Sequence, residues 1–524
     1  MAYSIPKPPF NSRLNQVATR LMITVVFATS LYNCNQPDPF QAMYESNCSS
    51  CHADNLQGTP LGSALVGVDL KYGEHVHEIS KSIREGYPLN GMPAFSGTLN
   101  ETQINSISIF VSESRLGYDM ADFRIHGPLQ IPEDRIESEH ENFLIESVAK
   151  DLHRWPYSIA PLPDGRILLT EKTQGLRIVS ADGGKSELIR GLPKIYDDAI
   201  EYATLLGLGW MFDVTIHPEY EENGWIYLSY GDRCSACNEI SRVQKRDVSM
   251  CVLIRGRINE GEWTDQEIIW KADLATYTTI PEPAVGGRIC FDNQGYVYLS
   301  VGAKRYRPHP SGNIESYVGI QDLSLPYGKI YRIHDDGRIP VDNPFVHHPD
   351  AIPSIWTYGH RSPQGLEIDK TTGLLWGTEM GPRGGDEVNL LIAGNNYGWP
   401  LYSYGVNYDG SMVEFGKYLG IAFDLNDIEM PVVDLTPSPA VSSFAFYHGD
   451  VFAKWKGNLI IGSLKATELY RMELNGREVV HRETLLKDFA RIRDVEVGYD
   501  GNIYLLLEHA SGGQIVRLVI AGEI

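Results

Sequence analysis

One local pattern recurs six times in the C-terminal part of this chain, and it constrains the fold more than anything else. An apolar lead is followed by a tight turn with glycine and then by an alternating or wholly apolar run. It reads PLPDGRILLTEK from Pro161, HPEYEENGWIYLSYGD from His217 and FDNQGYVYLSVGAK from Phe291. It returns as DKTTGLLWGTEMGP from Asp369, FAKWKGNLIIGSLK from Phe452 and GYDGNIYLLLEHA from Gly498. The turn glycines are Gly165, Gly224, Gly295, Gly373, Gly457 and Gly501. Glycine supplies the positive φ that tight hairpins need, and alternation marks half-buried strands. Repeated hairpins of this kind predict radial repetition: a mainly β fold, a six-bladed β-propeller. A sandwich or two stacked β-domains is the alternative. Fifty glycines and thirty prolines suit either.

Ahead of these repeats stands Cys48-Ser49-Ser50-Cys51-His52. Two thiols three residues apart, followed at once by histidine, form the attachment pattern for haem c. Cys48 and Cys51 would join the vinyl groups, and His52 would bind the iron from one side. Met92, held between Gly91 and Pro93, is the candidate second ligand; a thioether there gives an electron carrier. The pattern resembles a small all-α class I cytochrome c, assigned to residues 35–116. Its closing helix is predicted near Glu101 to Ser114, where Ile104, Ile107, Ile109, Phe110 and Val111 recur at roughly helical spacing.

The formal net charge of −22 disfavours nucleic acid and anionic membranes as partners. Residues 1–34 read as a signal peptide or lipoprotein signal: Lys7, Arg13 and Arg20 precede the apolar run Leu21 to Leu31. Export to the periplasm follows. Cys34 sits in a loose lipobox, so either a lipid anchor through Cys34 or plain cleavage is open. Residues 117–147 read as an acidic, solvated linker, and 148–524 as the propeller. One disulfide among Cys234, Cys237 and Cys251 suits an oxidising compartment, and Cys290 reads as a buried thiol.

Three loop segments carry the chemistry: Trp356-Thr357-Tyr358-Gly359-His360-Arg361-Ser362-Pro363, Glu379-Met380-Gly381-Pro382-Arg383-Gly384-Gly385-Asp386-Glu387, and Asn396-Tyr397-Gly398-Trp399-Pro400. With His217-Pro218, Tyr327-Gly328-Lys329-Ile330 and Arg491-Ile492-Arg493-Asp494, they resemble the glucose/sorbosone dehydrogenase family, which includes soluble quinoprotein sugar dehydrogenases. The resemblance implies pyrroloquinoline quinone (PQQ) and calcium as cofactors. It places cationic contacts to the quinone at Arg361, Lys465, Arg491 and Arg493. It gives calcium the backbone carbonyls of Gly381 and Pro382. Asp386 and Glu387 would hold a second calcium or brace the loop.

The departures are equally specific. The family's catalytic histidine segment here reads Ala284-Val285-Gly286-Gly287-Arg288, and alanine takes no proton. Leu208 replaces a quinone-site glutamine, Ser362 an asparagine and Met380 a polar residue. No catalytic base is assigned; Glu282, His309 and His360 are the candidates. Two functions follow. One is an exported PQQ-dependent dehydrogenase, oxidising a sugar or related alcohol and passing electrons through its own haem to a downstream redox acceptor. The other is a quinone-free propeller acting as a ligand-binding or docking module beside an electron-transfer cytochrome.

Overall fold

All six turn glycines adopt the left-handed conformation, with φ from 67° at Gly224 to 84° at Gly165. The computed structural model describes residues 38–118, 129–197, 207–282, 285–303, 319–413 and 421–522. The proposed leader, Cys34, Ala284 and His309 lie outside these residues. Each hairpin becomes the centre of an antiparallel sheet, and six sheets form.

The first sheet is Pro156–Pro161, Ile167–Glu171 and Gly175–Val179. The second begins on Met211–Ile216, the third on Gly286–Phe291 and the fourth on Pro363–Ile368. The fifth begins on Val441–Phe446 and the sixth on Arg491–Val497. These six first strands touch one another in a closed ring around an axis. Phe143–Ala149 closes the circle by pairing with Gln514–Ile520, so the two ends of the propeller share one sheet. This strand starts inside the stretch read as linker. The acidic run before it is also more anchored than a solvated linker would be. Glu139 accepts from His481 Nε2 at 2.7 Å and pairs with Arg471 at 3.3 Å, and Glu141 accepts from the Lys454 N–H at 2.8 Å.

A buried ion cluster ties the ring at its centre. Arg288 Nη1 lies 3.0 Å from Asp213 Oδ1 and 2.8 Å from Asp494 Oδ1. Its Nε donates to the Gln364 carbonyl at 2.7 Å. The second oxygens of Asp213 and Asp494 accept from the N–H groups of Ile289 and Ile159. Four of the six blades therefore meet on one guanidinium, and Asp494 ties in a fifth through Ile159. Burial alone would depress Arg288, but Asp494 and Asp213 outweigh it and hold the group charged.

The N-terminal unit is helical: α1 (Pro39–Asn47), α2 (Ser49–His52), α3 (Val76–Glu85) and α4 (Glu101–Leu116). Asp38 caps α1 by accepting from the Phe40 N–H, and Asn100 with Gln103 forms a capping box on α4. Gly117 ends α4 in the left-handed conformation. Ile104, Ile107 and Val111 join Tyr44, Leu56, Ile79, Ile83 and Leu99 in a small core. Among the described residues no helix is long and apolar enough to cross a membrane. Cys234 and Cys237 form a disulfide, while Cys251 and Cys290 are buried thiols.

Candidate active site

The haem motif occupies the short helix α2, with Cys48 at its N-cap. His52 Nδ1 lies 2.7 Å from the Ser63 carbonyl oxygen. A ring N–H donated there fixes the tautomer and leaves Nε2 with its lone pair for a metal. Nothing near Ser63 in the sequence marked this acceptor. Met92 is half-buried and packs against the same apolar cluster as Cys48. Its N–H and carbonyl both pair with Tyr87, closing a small loop through left-handed Gly91. The donor set suits a haem iron: one neutral imidazole, one thioether and two nearby thiols.

At the propeller, the four cations singled out in the sequence are all buried, and none projects bare into solvent. Arg491 and Arg493 share one carboxylate: Arg491 Nη2 is 2.9 Å from Glu508 Oε1, and Arg493 Nη2 is 2.6 Å from Glu508 Oε2. Lys465 Nζ is 2.6 Å from Glu113 Oε1 on α4. Arg361 Nη1 donates to the carbonyls of Met380 at 2.9 Å and Gly381 at 2.6 Å. The Gly381 oxygen expected to hold calcium is thus engaged by a guanidinium, and a cation there requires Arg361 to turn away. Asp386 braces this loop. Its two oxygens accept from the N–H groups of Gly381 and Val441, and burial pushes its carboxyl up to about 6.

Two of the candidates for a replacement base, Glu282 and His360, are committed elsewhere. Glu282 is buried; it accepts from the N–H groups of Gly209 and Trp210 and from the Ser249 hydroxyl. It braces the segment around Leu208. His360 lies between Thr357 Oγ1 at 2.9 Å and Glu379 Oε2 at 3.0 Å. Glu379 also accepts from the N–H groups of Arg361 and Ser362.

Nothing in the sequence signals that the helical unit covers this mouth. Arg383, just after Gly381 and Pro382, pairs with Asp38 at 2.6 Å and with Glu113 at 2.6 Å. Its guanidinium stacks 3.7 Å from the Phe40 ring centroid, and Phe40, Val76, Ile109 and Val406 form an apolar seam. The Tyr118 hydroxyl reaches Glu468 and Tyr470. One carboxylate from α4 therefore pairs with both Lys465 and Arg383, linking the helical unit directly to the propeller.

The sequence also gave no notice of Lys172, which is buried beside the arginine pair. Its amine lies 5.2 Å from the Tyr157 ring and 5.7 Å from the Trp210 ring. The Tyr157 hydroxyl donates to the Gly286 carbonyl. Lys172 is an anion-seeking group with no hydrogen-bond acceptor or ion-pair partner among the described residues, so the donor set fits a polycarboxylate.

Comparison with known proteins agrees with this geometry. The glucose/sorbosone dehydrogenase profile matches residues 153–517, and the profile of the cytochrome c oxidase cbb3-type subunit III matches residues 35–111. The aldose sugar dehydrogenase YliI of Escherichia coli is 34% identical over 371 residues, covering 70% of this chain and 90% of that protein. Quinoprotein glucose dehydrogenase B of Acinetobacter calcoaceticus is 25% identical, covering 73% and 88%. The crystal structure of the apo-form of the soluble Escherichia coli aldose sugar dehydrogenase superposes with a TM-score of 0.60 at 31% identity, covering 72% of this chain and all of that one. The PQQ-bound aldose sugar dehydrogenase of Streptomyces coelicolor, at 22% identity and a TM-score of 0.51, shares the fold.

Proposed function

The chain belongs to the glucose/sorbosone dehydrogenase family and carries a cytochrome c domain before it, and from that premise we propose an exported, PQQ-dependent sugar dehydrogenase that reduces its own haem. Residues 1–34 direct export, 35–116 carry the haem, the stretch from 117 to 142 connects, and the propeller from Phe143 onward holds the quinone and substrate. The Cys234–Cys237 disulfide suits an oxidising compartment. A lipid anchor at Cys34 is the variant of this reading that a Cys34→Ser control distinguishes.

Bound PQQ would supply a two-electron acceptor for a sugar or related alcohol, and haem c a one-electron relay to a downstream partner. Arg361, Arg491, Arg493 and Lys465 would orient the quinone's carboxylates and carbonyls. The carbonyls of Gly381 and Pro382 would hold calcium once Arg361 moves onto an anion. His52 and Met92 would hold the iron, with Ser63 fixing the His52 ring. Phe40, Val76, Ile109 and Val406 exclude water from the seam between the two units.

The observation carrying this reading is the shared carboxylate. Glu113 of the cytochrome's last helix bonds Lys465, the cation expected to touch the quinone. A carrier fixed beside its donor site needs no diffusional encounter. The experiment is haem reduction in purified protein given calcium, PQQ and an aldose, with PQQ binding measured by calorimetry. Calcium-dependent heat followed by reduced-haem bands is the expected result. Absence of any binding heat overturns the reading and leaves a propeller that binds or docks something else. Pairing of Arg491 and Arg493 with the propeller's own Glu508 is the observation that favours that rival.

A further inference from the structure

Two lysines are buried in the propeller, and their surroundings differ in kind. Lys329 Nζ donates to three carbonyls, those of Gly319, Ile320 and Tyr327, at 2.7 to 3.1 Å. It is a structural clamp. Lys172 is 7% exposed, yet its amine has no hydrogen-bond acceptor or ion-pair partner among the described residues. Its main chain is fixed: the N–H donates to the Trp155 carbonyl at 3.0 Å, and the carbonyl accepts from Met211 at 2.8 Å. The Trp210 indole N–H beside it is buried without an acceptor. A buried amine in this state is costly unless an anion joins it.

The described charges that act on it are mostly positive. Arg493, Arg491 and Arg288 face Lys172, with Glu508 as the opposing carboxylate. Both oxygens of Glu508 are taken, one by each of Arg491 and Arg493. Arg288 is matched by Asp213 and Asp494. Glu508, the carboxylate set against Lys172, thus has both oxygens engaged by the arginines and none on the lysine amine. Burial first, then the neighbouring arginines, lowers the Lys172 amine to about 7.

We propose that Lys172 is an anion-binding residue of the propeller mouth, which joins Arg491 and Arg493 on a carboxylate of the bound ligand and takes up a proton as the ligand enters. This rests on the reading that the pocket takes a tricarboxylate quinone. It adds a cationic contact to the four matched by motif, and it places that contact between the two altered segments. Trp210 follows Leu208 by two residues, and the Tyr157 hydroxyl reaches Gly286, two residues after Ala284. An anion beside the amine favours its charged form, so binding draws in a proton wherever the empty site is partly neutral. Affinity should fall as pH rises through the amine's ligand-free range, by up to about tenfold per pH unit.

The test is calorimetric titration of the full haem-loaded chain with PQQ and calcium, in buffers of different ionisation enthalpy. The parent should take up roughly half a proton at about pH 7. Lys172→Met should bind at least about tenfold more weakly, without that uptake. Lys172→Arg should retain affinity but take up no proton, because arginine is always charged. Lys172→Gln and the arginine variant guard against misfolding of the methionine variant. Equal affinity and equal proton uptake in parent and Lys172→Met would overturn the proposal while leaving the quinone reading intact. No PQQ binding by the parent would overturn both.

Discussion

Glu508 sets how much positive charge the propeller mouth can present. It is 2% exposed and bridges two arginines. Burial alone would raise its carboxyl, but Arg493, Arg491 and Lys172 outweigh burial and hold it well below the usual range. A carboxylate depressed in the folded state contributes stability that is fully present above its unfolded value, about 4.3, and is lost as pH falls towards the folded one. Stability should therefore decline from about pH 5 downwards. Glu508→Gln should remove part of that acid dependence and cost roughly 3–5 kcal/mol at neutral pH, because two buried guanidinium groups lose their counter-ion. Thermal melts of parent and variant across the acid range check both statements. A variant as stable as the parent would mean that the arginines find another partner.

At the scale of elements, α4 does two jobs from opposite faces. Ile104, Ile107 and Val111 fill the cytochrome core, while Ile109 and Glu113 face the propeller. The helical repeat was legible in the sequence because apolar spacing is local. The role of Glu113 was not legible: a lone carboxylate in a helix reads as a solvated charge until its partners, 270 and 352 residues away, are known. Glu113→Ala leaves Lys465 without this partner and Arg383 with Asp38. Removing one member of a buried pair costs about 3–5 kcal/mol, enough to loosen docking without unfolding either unit. Hydrogen exchange should rise in residues 101–116 and in the 380–386 loop while the sheets stay protected. Haem reduction by substrate should slow with it. Unchanged exchange would show that the apolar seam alone holds the cytochrome in place.

For the whole molecule, closure depends on two devices. The strand Phe143–Ala149 pairs with Gln514–Ile520, and the Arg288 cluster joins inner strands from five blades. Arg288 is the arginine of the segment in which the family keeps its catalytic histidine. Here it is the hub of the central ion cluster. Arg288→Met would strand Asp213 and Asp494 in the interior, where burial already raises Asp213. The loss should be about 3–5 kcal/mol. Because the cluster spans most of the ring, calorimetry should show the propeller melting at lower temperature as one transition. Loss confined to a single blade would contradict the central role.

By itself the sequence determined what depends on neighbours along the chain. Six glycine turns with alternating strands specify six blades, since positive φ and strand alternation are set within a few residues. Cys48, Cys51 and His52 stand out as candidate haem residues because the attachment motif is contiguous. The tertiary structure decided which charges are spent and which are left. Ser63 as the His52 acceptor, Glu113 on Lys465, Glu508 between two arginines, saturated Glu282 and unmatched Lys172 all depend on how elements dock. A charge's use is fixed by what lies within a few ångströms of it after folding, whether that partner is 15 residues away, like Glu508 from Arg493, or 352, like Glu113 from Lys465.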